Sequence, residues 1–263
     1  MKILVCVKQI PENLKNMQIN SLGTGIQMFQ NEKYRLNRFD AHAVEAAVVI
    51  KEQMPNTSID IVTVGPSFSD AIVRRAMGMG VDNGLIIQVE PESYLSPSTI
   101  SALLAKIAAQ GEYDLILTGI MSEDEMNGQT GQMVAARLNI PAISGVVHIE
   151  ISDQTIGVIR EREGAIREHL VVNRLDIKGI VLTIQAGINQ PRYPGLSALL
   201  TANSKELMII DGKKLLSDIC QNDQSIIEIH KAAKIRQGKF IEGSIDEKVK
   251  QFLDIMKEKD VII

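Results

Sequence analysis

Glycines and short polar side chains crowd one stretch of this chain, Gly128-Gln-Thr-Gly-Gln-Met133. It follows Asp114-Leu-Ile-Leu-Thr-Gly119, an apolar run of strand length that ends on glycine. Such residues at the start of a helix leave backbone N–H groups free, and the helix dipole adds positive potential there. The chemistry on offer is the binding of a phosphate. In an open parallel sheet that place lies beyond the carboxyl ends of the strands. The stretch therefore predicts a nucleotide site made by a strand, a turn and a helix.

The elements that must position this site alternate through the first half of the chain. Apolar runs at 3–8, 58–65, 84–89 and 113–118 read as strands. Between them, 40–53, 67–77, 96–109 and 128–138 read as helices. Ala43, Ala46, Ala47 and Ile50 recur at helical spacing, with Asp40 as candidate N-cap. Ser67 or Ser69 caps the second helix, Gly78 lies near its end, and Pro97 sits in the first turn of the third. This rhythm predicts a doubly wound α/β fold, a mainly parallel sheet covered on both faces. After Pro141 the runs 143–151, 155–160 and 168–172 are joined by short polar turns and read as antiparallel strands, and 180–185 as a further strand. Beyond Pro191 the pattern is irregular. Residues 244–257 form an amphipathic helix with Ile245, Val249, Phe252, Leu253 and Met256 on one face. That stripe packs on a neighbouring subunit or folds back on its own domain.

Composition narrows the classes. A length of 263 residues suits one full core plus an extension, or two small domains. The net charge of −4 and an aromatic content of 3% give no reason to expect a nucleic-acid partner. No apolar run reaches the length of a membrane span. The segment Met1–Val7 reads as a first strand rather than a signal peptide. Cys6 and Cys220 lie far apart, and the four histidines show no ligand spacing, so neither a disulfide framework nor a metal site is expected. A cytoplasmic, reduced setting follows. Several residues read as structural: Cys6 as a small buried strand residue, His42 as a helix-surface histidine, Met77 and Met79 as core or turn, and Arg160–Glu163 as a solvated edge.

Strand ends of adjacent β-α units gather at one crevice, so Val5–Lys8, Asn37–Asp40, Val64–Pro66 and the stretch from Gly119 to Thr130 can share one ligand. Here the sequence resembles the β subunit of electron-transfer flavoproteins. The likeness rests on Lys2-Ile-Leu-Val-Cys-Val-Lys8, Asn37-Arg-Phe-Asp40 with Ala43-Val-Glu-Ala46, Val64-Gly-Pro66 and Ala76-Met-Gly-Met-Gly80. It continues through Gln129-Thr-Gly-Gln-Met133, Glu161-Arg-Glu163 and Asn189-Gln-Pro-Arg-Tyr-Pro194, in family order over about residues 1–200. Phe240-Ile-Glu-Gly243 and the helix after it look like the longer members of the family.

The resemblance implies a heterodimer with a larger α subunit, an FAD at the interface held mostly by that subunit, and an AMP buried in the β subunit. In electron-bifurcating members a second FAD takes the place of AMP and accepts hydride from NADH. The β subunit makes and breaks no covalent bond with a substrate, so no catalytic residue is implied. Carried over by position, the nucleotide shell is Cys6, Asn37, Arg38, Phe39, Asp40, Val64, Gly119, Asp124, Asn127, Gly128, Gln129 and Thr130. Within it, Cys6 and Val64 meet the adenine edge through their backbone, Asn37 the ribose or base, and Asp124 the ribose hydroxyls. Residues 128–131 meet the phosphate. Leu196 matches the recognition-loop leucine that anchors a partner dehydrogenase, and Leu199 and Leu200 extend its patch. Arg162 is a minor interface candidate.

There are departures as well. The bifurcating pattern Asp-Gly-Asp-Thr-Ala-Gln-Val-Gly is absent, and the family tyrosine that lies by the flavin after the first strand is replaced near Asn13. The expected division is a nucleotide-binding domain over 1–190 and a recognition loop with a C-terminal arm over 191–263, contacting the α subunit. The competing readings are a bifurcating subunit and a stand-alone nucleotide-binding stress-type protein.

Overall fold

The computed structural model describes residues 1–13, 18–20, 23, 25–27, 32–90, 95–217, 226–230, 238 and 240–259. Cys220 lies outside the described residues. The chain divides into two compact units, Met1–Ile229 and His230–Ile263.

The first unit is built on a nine-stranded sheet. Its strands are β1 (Lys2–Val7), β2 (Ser58–Gly65), β3 (Asn83–Gln88), β4 (Leu115–Gly119), β5 (Ala142–Ile151), β6 (Thr155–Arg162), β7 (Ile166–Asn173), β8 (Ile180–Ile184) and β9 (Met208–Asp211). Their spatial order is β7-β6-β5-β8-β4-β1-β2-β3-β9. The six strands from β8 through β9 run parallel, and β5 joins them parallel to β8. β6 and β7 are added antiparallel as hairpins. The expected doubly wound α/β fold is therefore observed. β6 is flanked by β5 and β7, so the Arg160–Glu163 run begins on an interior strand rather than an edge. There Arg160 Nε meets Glu168 of β7 at 2.6 Å.

The helices follow from their caps and their apolar stripes. α1 (Arg38–Gln53) starts after Asn37 and buries Ala43, Val44, Ala46, Ala47, Val48 and Ile50. α2 (Asp70–Met79) ends on Gly80 at φ 128°, whose N–H returns to the last turn. The side chain of Ser96 accepts the Thr99 N–H ahead of α3 (Pro97–Gly111). α4 (Thr130–Leu138) ends on Asn139 in the left-handed region. Ile3, Val5, Ile59 and Ile61 face α1 and α2, while Leu4, Val62, Leu103 and Val134 form the core on the α3–α4 face. Each such burial contributes about 1.5–3 kcal/mol.

Beyond Pro191 the chain is more regular than its sequence suggests. It forms α5 (Leu196–Ser204), the edge strand β9 and a short α6 (Gly212–Ser217). In the second unit, α7 (Ile245–Glu258) opens with a capping box between Ser244 and Glu247. None of its residues is buried, and Ile245, Val249, Phe252 and Leu253 stand exposed. Among the described residues no helix is long and apolar enough to cross a membrane.

Candidate functional site

The strand order changes direction at β1. The chain builds β1, β2 and β3 outward on one side, then returns to place β4 on the other side of β1. A crevice opens at such a switch point because the connections leave in opposite directions. Here it encloses about 100 Å³ and lies beyond the ends of β1 and β4.

Three sets of residues wall it. Cys6, Val64, Ile100 and Leu104 give an apolar side; Asn37 and Asp40 enter from α1; Gly119 to Ser122 and Asn127 to Thr130 come from the β4–α4 connection. Gly131 seats α4 against the sheet, since a Cβ there would lie 2.6 Å from Thr183 Cγ2 and 2.7 Å from Thr118 Oγ1. Gly128 turns the chain into α4 with φ 62°. The residue before α4 is Gln129, and no side chain caps the helix among the described residues. Its first N–H groups are thus open donors beside the crevice. This donor set fits a phosphate, and the apolar wall fits a base.

Asp40 is not the N-cap that its sequence position suggests. Asn37 takes that place, and Asp40 is buried one turn in. Its carboxylate accepts the N–H of Lys8 at 2.7 Å and of Gly119 at 3.0 Å. Burial pushes its pKa up to about 7, against the pull of those donors, the Asn37 side chain and the Lys8 charge. Burial, and then the neighbouring Asp40, push the Cys6 thiol well above its ordinary value, so it is not a nucleophile.

The β4–α4 connection is stapled to the start of α1. Asn37 donates to Met121 O at 2.9 Å and accepts the Glu123 N–H at 3.1 Å. Arg35 pairs with Glu123 at 2.7 Å and holds that carboxyl below its usual range. Lys8 pairs with Asp124 at 2.9 Å and Glu125 at 3.1 Å.

Nine of the sequence-predicted residues line the crevice: Cys6, Asn37, Asp40, Val64, Gly119, Asn127, Gly128, Gln129 and Thr130. Arg38, Phe39 and Asp124 stand outside that lining. The Arg38 N–H binds Glu123, Phe39 fills the space beside Gly119, and Asp124 is taken up by Lys8. Sequence reasoning missed Pro97, Ile100 and Leu104, from the start of α3. Pro97 at a helix start that follows a parallel strand was the available signal.

Leu196 is the first residue of α5 and 76% exposed, and Tyr193 and Leu200 are exposed as well. Leu199 instead packs on α2, where Gly78 leaves it room. His42 is buried rather than on the surface, with Nδ1 2.9 Å from Asn189 Oδ1. Arg192 pairs with buried Glu45 at 2.9 Å and with Glu52 at 2.6 Å, tying the approach to α5 onto α1.

These features define an open doubly wound α/β protein with a crevice at its switch point, beside a helix start that no described side chain caps. Residues 26–214 match the model of the electron transfer flavoprotein domain. The chain belongs to the electron transfer flavoprotein β-subunit family. It is 32% identical over 249 residues to the mitochondrial electron transfer flavoprotein subunit beta of Arabidopsis thaliana, covering 94% of this chain and 95% of that one. Identity to the subunit beta of Homo sapiens is 28% over 248 residues, 94% of each chain. Identity to that of Bacillus subtilis is 28% over 247 residues, 91% of this chain and 92% of the relative.

Proposed function

We propose that this chain is the β half of a heterodimeric electron carrier that passes electrons between dehydrogenases and a downstream acceptor. In this reading the α subunit and this chain share one FAD, and the crevice holds AMP. The single observation that supports it best is the uncapped start of α4 beside an apolar wall at the switch point. Asn37, Asp40 and the residues Gly128 to Thr130 would hold the nucleotide, with Cys6 and Val64 against the base. The FAD, when bound, supplies the redox chemistry. This chain binds and orients, and no residue of it acts as a nucleophile or proton donor. The exposed Leu196 patch serves a dehydrogenase partner. Residues 1–190 form the nucleotide-binding part, residues 191–263 carry the recognition patch and an arm for the α subunit, and the setting is cytoplasmic. The exposed apolar stripe of α7 supports such an arm, because isolated in water it leaves a hydrophobic face uncovered.

Co-expression with the α subunit and acid release of the bound cofactors tests this reading. The expected result is one FAD and one AMP per heterodimer. Two FAD without AMP would replace it with the bifurcating reading. A nucleotide-bearing homodimer that ignores the α subunit would replace it with the stand-alone one.

A further inference from the structure

We propose that Arg192 is a positioning residue for docking: it acts through Leu196, holding it in place at the start of α5 so that a partner need not order that segment on contact. The inference rests on the reading of Leu196 as the contact for a dehydrogenase. A leucine that is 76% exposed is held by little packing of its own. Its place is set by the chain on either side. Ahead of it, Glu45 of α1 accepts the backbone N–H of Arg192 at 2.9 Å and Nη2 of the guanidinium at 2.9 Å. Glu52, further along α1, accepts from Nη1 at 2.6 Å. Behind it, Arg74 of α2 donates from Nη1 to the carbonyl oxygens of Ala202, Asn203 and Lys205, at 2.9, 3.0 and 3.1 Å, and so closes the far end of α5.

Of these anchors, Arg192 sets the direction in which the chain enters α5. One buried carboxylate holds both its backbone and its side chain. Tyr193, Pro194 and Gly195 separate it from Leu196, and the ring of Pro194 fixes its own φ at about −65°. Gly78 of α2 makes the seat below, since a Cβ there would lie 3.1 Å from Pro194 Cβ and 3.0 Å from Leu199 Cδ2. A planar guanidinium can bind two carboxylates at once, whereas the ammonium of a lysine is a point charge and cannot hold the same geometry. A segment left free would have to be ordered at the moment of docking. That weakens binding about twofold to tenfold for each side chain immobilised.

The test uses the full chain in its heterodimer and, as probe, a dehydrogenase purified on its ability to reduce that heterodimer. FAD reduction is followed against dehydrogenase concentration. Arg192→Lys should raise KM about threefold to tenfold with kcat unchanged. Glu52→Gln alters an exposed carboxylate and leaves Glu45 in place, so it keeps the test valid if Arg192→Lys fails to fold; it should raise KM about twofold. Amide exchange over residues 196–204 should quicken about tenfold in Arg192→Lys. With Leu196→Ala already in place, Arg192→Lys should change KM by less than about twofold, because the side chain it positions is gone. Two results overturn the positioning role and leave the docking reading standing. One is an unaltered KM in both Arg192→Lys and Glu52→Gln where Leu196→Ala raises it. The other is an effect of Arg192→Lys that is as large with Leu196→Ala as without it. An unaltered KM in Leu196→Ala overturns the docking reading, and the positioning role falls with it.

Discussion

The Asp40 carboxylate accepts the backbone N–H of Gly119 at 3.0 Å, across 79 residues of chain. Its other oxygen takes the N–H of Lys8 at 2.7 Å. One buried side chain on α1 therefore fixes both strand ends that flank the switch point. Gly119 makes this approach possible, since a Cβ there would lie 2.7 Å from Phe39 Cβ and 2.9 Å from the Asp40 nitrogen. The floor of the crevice is set by this contact before any ligand arrives.

Stability should depend on pH through this group. Burial raises the Asp40 pKa from 3.8 to about 7. Between those values the folded chain keeps the proton and the unfolded chain releases it. The Asp40 contribution is therefore fully present below pH 3.8, falls as pH rises, and levels off above about 7. The slope approaches ~1.4 kcal/mol per pH unit inside the window. Urea midpoints followed from pH 4.5 to pH 8, roughly one unit apart, should show this decline, and Asp40→Asn should lack it. Parallel curves for the two proteins would assign the decline to other groups. Asp40→Ala, which strips both N–H groups of their acceptor, should cost about 2–4 kcal/mol.

Gly131 links packing to binding. Its missing Cβ lets α4 sit against Thr118 and Thr183, and this seat aims the open N–H groups at the crevice. Gly131→Ala should lower stability by about 1–3 kcal/mol, as overpacking does. It should also weaken AMP binding by displacing the start of α4. The informative pairing is AMP affinity in Gly131→Ala against Gly157→Ala. The latter lies on β6, with Glu150 Cβ no nearer than 3.7 Å to an added Cβ. If both leave affinity unchanged, α4 does not contact the ligand.

Much of this architecture was legible in the chain, and the exceptions share a cause. The strand Ser58–Gly65 is observed with the limits its apolar run suggests, because a buried parallel strand needs such a run and little else. The glycines of the β4–α4 connection pointed to the crevice because their spacing is a local property. Asp40 was misplaced because a carboxylate ahead of an apolar stripe looks like a cap. Its true partners are the ends of two strands, one of them 79 residues away. His42 looked like a surface residue for the same reason, since Asn189 lies 147 residues on. α5 and β9 were hidden by Pro191, Pro194 and Gly195, which break the pattern just ahead of them. The reversal at β1 is written in no single segment, only in which strands pair.

Arg192 reaches α1 from the segment that leads into α5. It binds Glu45, a buried carboxylate of α1, at 2.9 Å.

 Glu45 is 5% exposed. Removing one partner of a buried pair leaves an uncompensated charge. Arg192→Met should therefore cost about 2–3 kcal/mol, below the full penalty for a buried pair because the guanidinium is partly exposed. Glu45→Gln in the same background should recover part of that loss. Urea unfolding of the two single variants and the double variant reads the coupling directly, and additive effects would show that the pair contributes nothing.

Leu196 and Leu199 stand three residues apart and should behave in opposite ways. Leu196 is 76% exposed at the start of α5, whereas Leu199 packs on α2 beside Gly78. Truncating an exposed leucine changes stability by less than about 0.5 kcal/mol, while truncating a packed one costs about 2 kcal/mol or more. If the outward patch is the contact for a dehydrogenase, Leu196→Ala should weaken that contact by about tenfold or more with an unchanged melting temperature, as the loss of an interface anchor does. Leu199→Ala should lower the melting temperature first, and affect the contact only through the position of α5. Electron transfer from a dehydrogenase to the heterodimer, measured against dehydrogenase concentration, separates the two. A higher KM with unchanged kcat in Leu196→Ala assigns the patch to docking. Unchanged kinetics in Leu196→Ala would move the contact elsewhere, leaving the exposed leucine as an ordinary surface residue.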